Sequence, residues 1–188
     1  MDSYFDIKAI PDPELLQSAV IGQLMQVVHG LLPAFGGRVG LGFPGYGQSR
    51  TLGGILRLHG MAEDLEKLAF EINNHATIRS YALVCPLAEI PSHASTHVEY
   101  QRLHTKGQSH YRRLEVRHKT RGTWTSELEH AIAVKYREAI HCPHVTLKSK
   151  SNGNRFLMFI AKKLHDHPVN GSFNDYGLSV NGSTLPQF

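Results

Sequence analysis

Cysteine is almost absent: the 188 residues hold only Cys85 and Cys142, far apart and outside any CxxC spacing. That usage excludes a disulfide-built scaffold and points to a reduced, cytoplasmic setting. The opening MDSYFDIKAI has neither an apolar signal core nor a basic leader, which fits the same expectation. No uninterrupted apolar run approaches the roughly 20 residues that cross a bilayer, and neither an internal repeat nor a low-complexity tract is visible. With 41% hydrophobic and 19% charged residues, intrinsic disorder is excluded and a real core is affordable within one large domain or two small ones.

What is present is unevenly spread. The formal net charge is +4, yet residues 1–94 carry 6 basic and 9 acidic side chains, whereas residues 95–188 carry 14 and 7. An acidic partner is therefore expected on the second half. Thirteen histidines offer ligands or general acid/base groups without saying which.

In the first half, Tyr4 to Ile10 alternates apolar and polar residues and predicts a strand ending at Pro11-Asp12-Pro13. Asp12 as N-cap with Pro13 at the first helical position, then Leu16, Val20, Leu24, Val27, Val28 and Leu31, predicts a helix running to about Pro33. Short strands are expected over Val39–Phe43 and Ile55–His59, a second helix over Ala62–Asn73 and a strand over Ser80–Leu87. The order βαββαβ is the ferredoxin-like arrangement, a fold that hosts many activities. Residues 38–60 lack the aromatic RNP1 string, so base stacking on the sheet face is not expected.

In the second half, Arg102 to Arg121 holds Arg102, Lys106, Arg112, Arg113, Arg117, Lys119 and Arg121 against the single acid Glu115, with His104, His110 and His118 among them. A helix over 109–119 would set Arg113 and Arg117 four apart with Arg112 beside them, a basic rod without an apolar stripe. Phosphate is its natural partner; a solvated charged helix is the plainer reading. Ser126 and Glu129 read as a capping box for a helix with Leu128, Ile132 and Tyr136 on its buried stripe, ending near Ile140. Val145–Lys150 and Arg155–Ala161 read as a hairpin about Asn152-Gly153. A second Asn-Gly, Asn181-Gly182, follows an expected strand over Phe173–Val180.

With these residues placed, the chain resembles the CRISPR repeat-specific endoribonucleases of subtype I-F, which cut precursor CRISPR RNA beside a hairpin. The resemblance rests on Pro11-Asp12-Pro13-Glu14, on His29 near the end of the first helix, and on the basic run from Arg102. It extends through Val145-Thr146-Leu147-Lys148-Ser149-Lys150-Ser151 to Phe156 and ends at Tyr176-Gly177-Leu178-Ser179. It implies an α+β chain with a ferredoxin-like domain over 1–94 that carries the catalytic histidine. A basic α+β domain over 95–188, with an arginine-rich helix, would bind the RNA hairpin and complete the active site.

The resemblance further implies that His29, Ser149 and Tyr176 surround the scissile phosphate. RNA brings its own nucleophile, the ribose 2'-OH, so cleavage needs a proton-exchanging group, a partner that holds the hydroxyl in line, and charge stabilisation. Histidine suits the first task near neutral pH, Ser149 the second, and Tyr176 would fix the imidazole or a ribose. No cofactor or metal is called for, and the products would be a 2',3'-cyclic phosphate and a 5'-OH. Arg102 would read a stem guanine by bidentate contact, and Phe156 would stack on the closing base pair. His104 stands where the family has an amide side chain. Lys106, Arg112, Arg113, Arg117, His118, Lys119, Arg121 and Ser151 complete the implied RNA contacts, and other protein subunits of a CRISPR RNA surveillance complex are the implied partners.

Each of these residues has a plainer reading. His29 alone is a helix-end histidine that favours the C-terminal dipole, Ser149 and Tyr176 are strand residues, and Phe156 is core. Two competing functions stay open: a hairpin-binding subunit that does not cut, and a metal site built from His141-Cys142-Pro143-His144 or His165-Asp166-His167.

Overall fold

The computed structural model describes residues 1–104, 108–149 and 152–188, and the side chains of all of these except 108, 109 and 135–140. Lys106 and Ser151 lie outside the described residues. The chain is mixed α+β, with helices set against two antiparallel sheets.

The first sheet contains β1 (Ser3–Ala9), β2 (Gly40–Gly42), β3 (Ile55–Gly60) and β4 (Ala82–Val84), in the order β2-β3-β1-β4, with β5 (Ala88–Glu89) also pairing β1. All these pairings are antiparallel. Helices α1 (Gln17–Leu31) and α2 (Ala62–Asn74) cover it. Phe5, Ile7, Leu56 and Leu58 on the strands and Val20, Leu24, Val28, Leu65, Leu68 and Ile72 on the helices are fully buried. At about 1.5–3 kcal/mol per large apolar side chain, this layer dominates the stability of the first half.

Two boundaries differ from the sequence reading. Asp12 Oδ1 accepts the N–H groups of Glu14 and Leu15, both at 2.8 Å, so it caps a turn. The helix itself begins later, at Gln17, with an extended Leu16 and no side-chain cap; Leu16 stays 79% exposed. The strand expected from Ser80 starts only at Ala82, because Ala76–Tyr81 forms a short helix, α3, whose first turn is closed by His75 Nδ1 accepting from Thr77 N–H. Gln17–Phe35 is a helical run apolar enough on average to cross a membrane, but Gln23, Gln26 and His29 interrupt it and its apolar face is core.

The second sheet contains β6 (Thr96–Leu103), β7 (His144–Lys148), β8 (Arg155–His165) and β9 (Leu185–Gln187), in the order β7-β8-β6-β9. The expected hairpin forms, with Lys148 opposite Arg155 and Leu147 opposite Phe156. Its ladder is continued by Ser149 N–H donating to the Asn154 carbonyl at 2.8 Å, while Gly153 N–H returns to the Ser149 carbonyl at 3.0 Å, so the connection is longer than a two-residue Asn-Gly turn. The strand expected over Phe173–Val180 is instead a tight loop with one isolated bridge between Phe173 and Ser179. The strand that follows Asn181-Gly182 pairs with β6.

Helices α4 (Gln108–Thr120) and α5 (Ser126–His141) lie between β6 and β7 in the chain. Thr125, not Ser126, caps α5, its hydroxyl accepting from Leu128 N–H at 3.2 Å. Leu128 and Ile132 are half-buried, and among the described side chains of α4 none is buried.

One hydrophobic cluster joins the two sheets, running from Phe5 and Leu24 to Val98, Tyr100, Val145 and Met158. Two phenols bolt it. Tyr46 donates to the Ile160 carbonyl at 2.8 Å and Tyr100 to the Phe43 carbonyl at 3.1 Å. Burial pushes each of them up to about 12, so both remain neutral donors. Helix α1 also meets the edge strand β7 closely: a Cβ on Gly22 would stand 2.9 Å from the Thr146 carbonyl oxygen, an approach that only glycine permits.

Candidate active site

His29 sits in the last turn of α1, half-buried beside the fully buried Val28. Its Nδ1 lies 2.8 Å from the Asp175 carbonyl oxygen. A carbonyl only accepts, so Nδ1 carries the hydrogen, and in the neutral ring the lone pair is on Nε2. The Tyr176 ring stacks flat on the imidazole, 3.9 Å between centroids at 8°. One contact thus fixes the tautomer and the other fixes the plane.

The loop that supplies both contacts is self-braced. Asn174 Oδ1 accepts the N–H groups of Tyr176 and Leu178 at 2.9 and 3.2 Å. The Asn174 carbonyl accepts from Gly177 N–H, and the Gly177 carbonyl accepts from Leu41 N–H on β2, both at 2.8 Å. Gly177 has φ +73°, and a Cβ there would meet Leu41 Cβ at 2.6 Å. Gly177→Ala should therefore lower thermal stability by at least about 1–3 kcal/mol and free the His29 ring. A calorimetric melt unchanged from the parent chain would mean that the loop gives way at no cost.

Ser149 arrives from the other side. It is the residue after β7, and the preceding Lys148 N–H donates to Gln26 Oε1 at 2.9 Å. Gln26 is three residues before His29 on α1, hence on a neighbouring part of the same face. The hairpin end that carries Ser149 is therefore pinned one turn from the imidazole.

Arg102 and Phe156 are also brought together, the guanidinium carbon 5.4 Å from the ring centroid. Arg102 is opposite Ile160 in the β6–β8 ladder and Phe156 is opposite Leu147, so both belong to the core-facing side of the second sheet, at its rim. His104 is exposed just beyond β6. On α4, Arg112, Arg113, Arg117 and Lys119 are exposed, as is Arg121 beyond it. Lys119 Nζ pairs with Glu115 at 2.6 Å, and His118 Nδ1 lies 2.8 Å from Thr123 Oγ1, so both are engaged within the chain.

This arrangement, an imidazole held by a distant loop beside a serine-bearing hairpin and an Arg–Phe pair, can be set beside known proteins. The family model described as CRISPR-associated protein (Cas_Csy4) matches residues 4–188. The chain belongs to this family. It is 32% identical over 192 residues to a CRISPR-associated endonuclease Cas6/Csy4 of Pseudomonas aeruginosa (strain UCBPP-PA14), covering 97% of each chain. It is equally 32% identical over 193 residues to a protein of the same name from Escherichia coli (strain UTI89 / UPEC), covering 100% of each.

Within this Cas_Csy4 chain the other histidines lead elsewhere. His59 on β3 is 1% exposed, and burial, with Arg57 nearby, pushes it down to about 3; it is neutral and out of reach of a substrate. His165 pairs with the buried Glu99 at 2.9 Å, and His144 packs against the Phe159 ring. Among the described residues no three His, Cys, Asp or Glu side chains converge. A cavity of about 800 Å3 beside α2 has Asp64, Glu66 and Glu71 on its wall, and its two cations are committed, Arg38 to Asp64 at 2.8 Å and Lys67 to Glu63 at 2.6 Å, a lining ill suited to phosphate.

Three contributors escaped the sequence reading: Asn174, the Asp175 carbonyl and Gln26. Asn174-Asp175 before Tyr176 is a turn signal that strand alternation overrode, and a carbonyl leaves no trace in residue types at all.

Proposed function

We propose that this protein is a metal-independent endoribonuclease that binds the stem-loop of CRISPR repeat RNA and cleaves beside the stem. Its relatives are named CRISPR-associated endonucleases. The observation that carries the mechanism is the His29 geometry: Nδ1 committed to the Asp175 carbonyl, the ring stacked on Tyr176, and Nε2 left for proton exchange. Nε2 takes the proton of the 2'-OH, the oxygen attacks the adjacent phosphorus, and the P–O5' bond breaks. The leaving oxygen collects a proton, giving a 2',3'-cyclic phosphate and a 5'-OH. Ser149 holds the hydroxyl in line. Because the RNA supplies the nucleophile, no metal-bound water is needed.

Residues 1–94 are read as a ferredoxin-like domain, supported by the β2-β3-β1-β4 order, and residues 95–188 as the RNA-binding domain. In the second, α4 is the arginine-rich helix that tracks the stem phosphates through Arg112, Arg113 and Arg117. Arg102, with Phe156 beneath it, reads a guanine at the stem base, and Phe156 stacks on the terminal pair. The cut RNA keeps its hairpin, so it stays bound and is handed to protein subunits of a surveillance complex in the cytoplasm.

The test is incubation with hairpins of the CRISPR repeats from the encoding genome, in excess EDTA, followed by analysis of product ends. A single cut with a cyclic phosphate is expected. Binding without product would make the protein a non-cutting subunit, and cleavage stopped by EDTA would return the metal reading.

A further inference from the structure

The cavity of about 800 Å3 beside α2 is walled by the end of α1, by the 3-10 turn Leu32–Phe35 that follows it, and by α2 itself. Among the described residues none of its wall comes from the second sheet or from α4, so an occupant leaves the basic surface open. The floor is apolar: Phe35 is buried and Leu31 half-buried, with Ala34 and Phe70 beside them. Helix α2 packs on the first sheet through Leu65, Leu68 and Ile72, all fully buried. Phe70 lies outside that stripe by helical period and is 68% exposed. Glu66 and Lys67, four and three residues before it, share its side of the helix. The fold has no use for a phenyl ring there, and a large apolar side chain set among charges on a helix surface marks a contact with something else.

The charge around this floor says what that something is. Arg38 and Lys67 are neutralised by Asp64 and Glu63, which leaves Glu66 and Glu71, both exposed and with no ion-pair partner among the described residues. Two uncompensated carboxylates beside the groove repel the phosphates of RNA. A second copy of this chain meeting the groove about a two-fold axis would set the same carboxylates against each other. What fits is an apolar side chain carried between lysines or arginines, the pattern of an amphipathic segment laid into a groove.

We propose that this groove docks a basic amphipathic segment of a neighbouring protein subunit in the CRISPR RNA surveillance complex. An apolar anchor rests on Phe70 and Leu31, and cations flanking it face Glu66 and Glu71. The choice of partner rests on the endoribonuclease reading. With the RNA hairpin on the second half of the chain and the subunit on the first, the protein is joined to the complex at two points. The RNA tether raises the effective concentration of the groove contact, so a weak contact suffices to fix the protein's orientation.

The experiment removes the RNA bridge. The other subunits of the complex, from the same genome, are assembled on a guide RNA that lacks the hairpin, and the parent protein carrying an isolated cut hairpin is titrated onto them. Binding is expected, weakening as salt rises. Phe70→Ser, and separately the Glu66→Lys, Glu71→Lys double variant, should weaken it by about tenfold or more. Hairpin affinity and single-turnover cleavage by both variants should stay within about twofold of the parent. No binding of the parent, or variants that bind the subunits as the parent does, overturns the groove. Variants that lose hairpin binding or cleavage in parallel also overturn it, since the groove would then serve the RNA site or the fold. Failure of the parent itself to bind and cut the hairpin overturns the endoribonuclease reading instead, and with it the choice of partner. A photo-crosslink from Phe70→p-benzoylphenylalanine, which keeps an aromatic ring in place, is read in the complete complex. Adducts on a lysine- or arginine-bearing peptide of one subunit support the assignment. Adducts on RNA or on a second copy of this chain, or none at all, reject it.

Discussion

A single 2'-deoxy substitution at the nucleotide before the scissile phosphate should stop cleavage altogether while hairpin affinity stays within about twofold of the all-ribose RNA. The substitution removes one hydroxyl and no phosphate, so the contacts proposed for α4 and Phe156 are untouched. What disappears is the only nucleophile in the proposed reaction. Gel-shift titration and a denaturing gel on the same samples report the two quantities separately. Ser149→Ala should give a weaker form of the same defect, because the hydroxyl persists but loses a positioning partner, and a displacement of about 1 Å already costs on the order of 100-fold. Efficient cutting of the deoxy RNA would mean that water attacks, and the roles given to His29, Ser149 and Tyr176 would have to be withdrawn.

His29→Ala should slow cleavage by about 100-fold to 10,000-fold, the range for loss of a general acid/base, again with little change in binding. The ring is half-buried at the end of α1 and its contacts are with the Asp175 carbonyl and the Tyr176 ring, not with the cations of α4, so its removal leaves the basic surface intact. Single-turnover rates with saturating protein isolate the chemical step from slow product release. Parallel loss of binding and cleavage would make His29 structural.

The elements with a strong period were legible from residue types. Alternation marked β1 and β3, and the i, i+3, i+4 apolar spacing marked α1 and α2. Strand β6 was not legible, although Thr96, Val98 and Tyr100 alternate with His97, Glu99 and Gln101; its polar half is partly buried too, with Glu99 covered and paired with His165, a partner that no local spacing marks. The Phe173–Val180 loop was misread because alternation looks the same whether backbone N–H groups find a partner strand or, as here, the Asn174 side chain. The site residues were named through family resemblance, and no spacing rule could have joined His29 to a loop 146 residues away. Nor could it have marked Gln26, whose role is to receive a backbone N–H of the opposite sheet.

That separation has a consequence for timing. The imidazole is made in the first sixth of the chain, and the carbonyl and ring that aim it belong to residues 175 and 176 of 188. Bringing such remote segments together is the slowest kind of contact to form. A folding chain that has formed α1, α4 and the β7–β8 hairpin but has not yet docked the loop at residues 174–178 has its basic surface, yet its histidine lacks the carbonyl and the ring that aim it. The aiming of His29 therefore falls late in folding, with the docking of the loop that carries Asp175 and Tyr176.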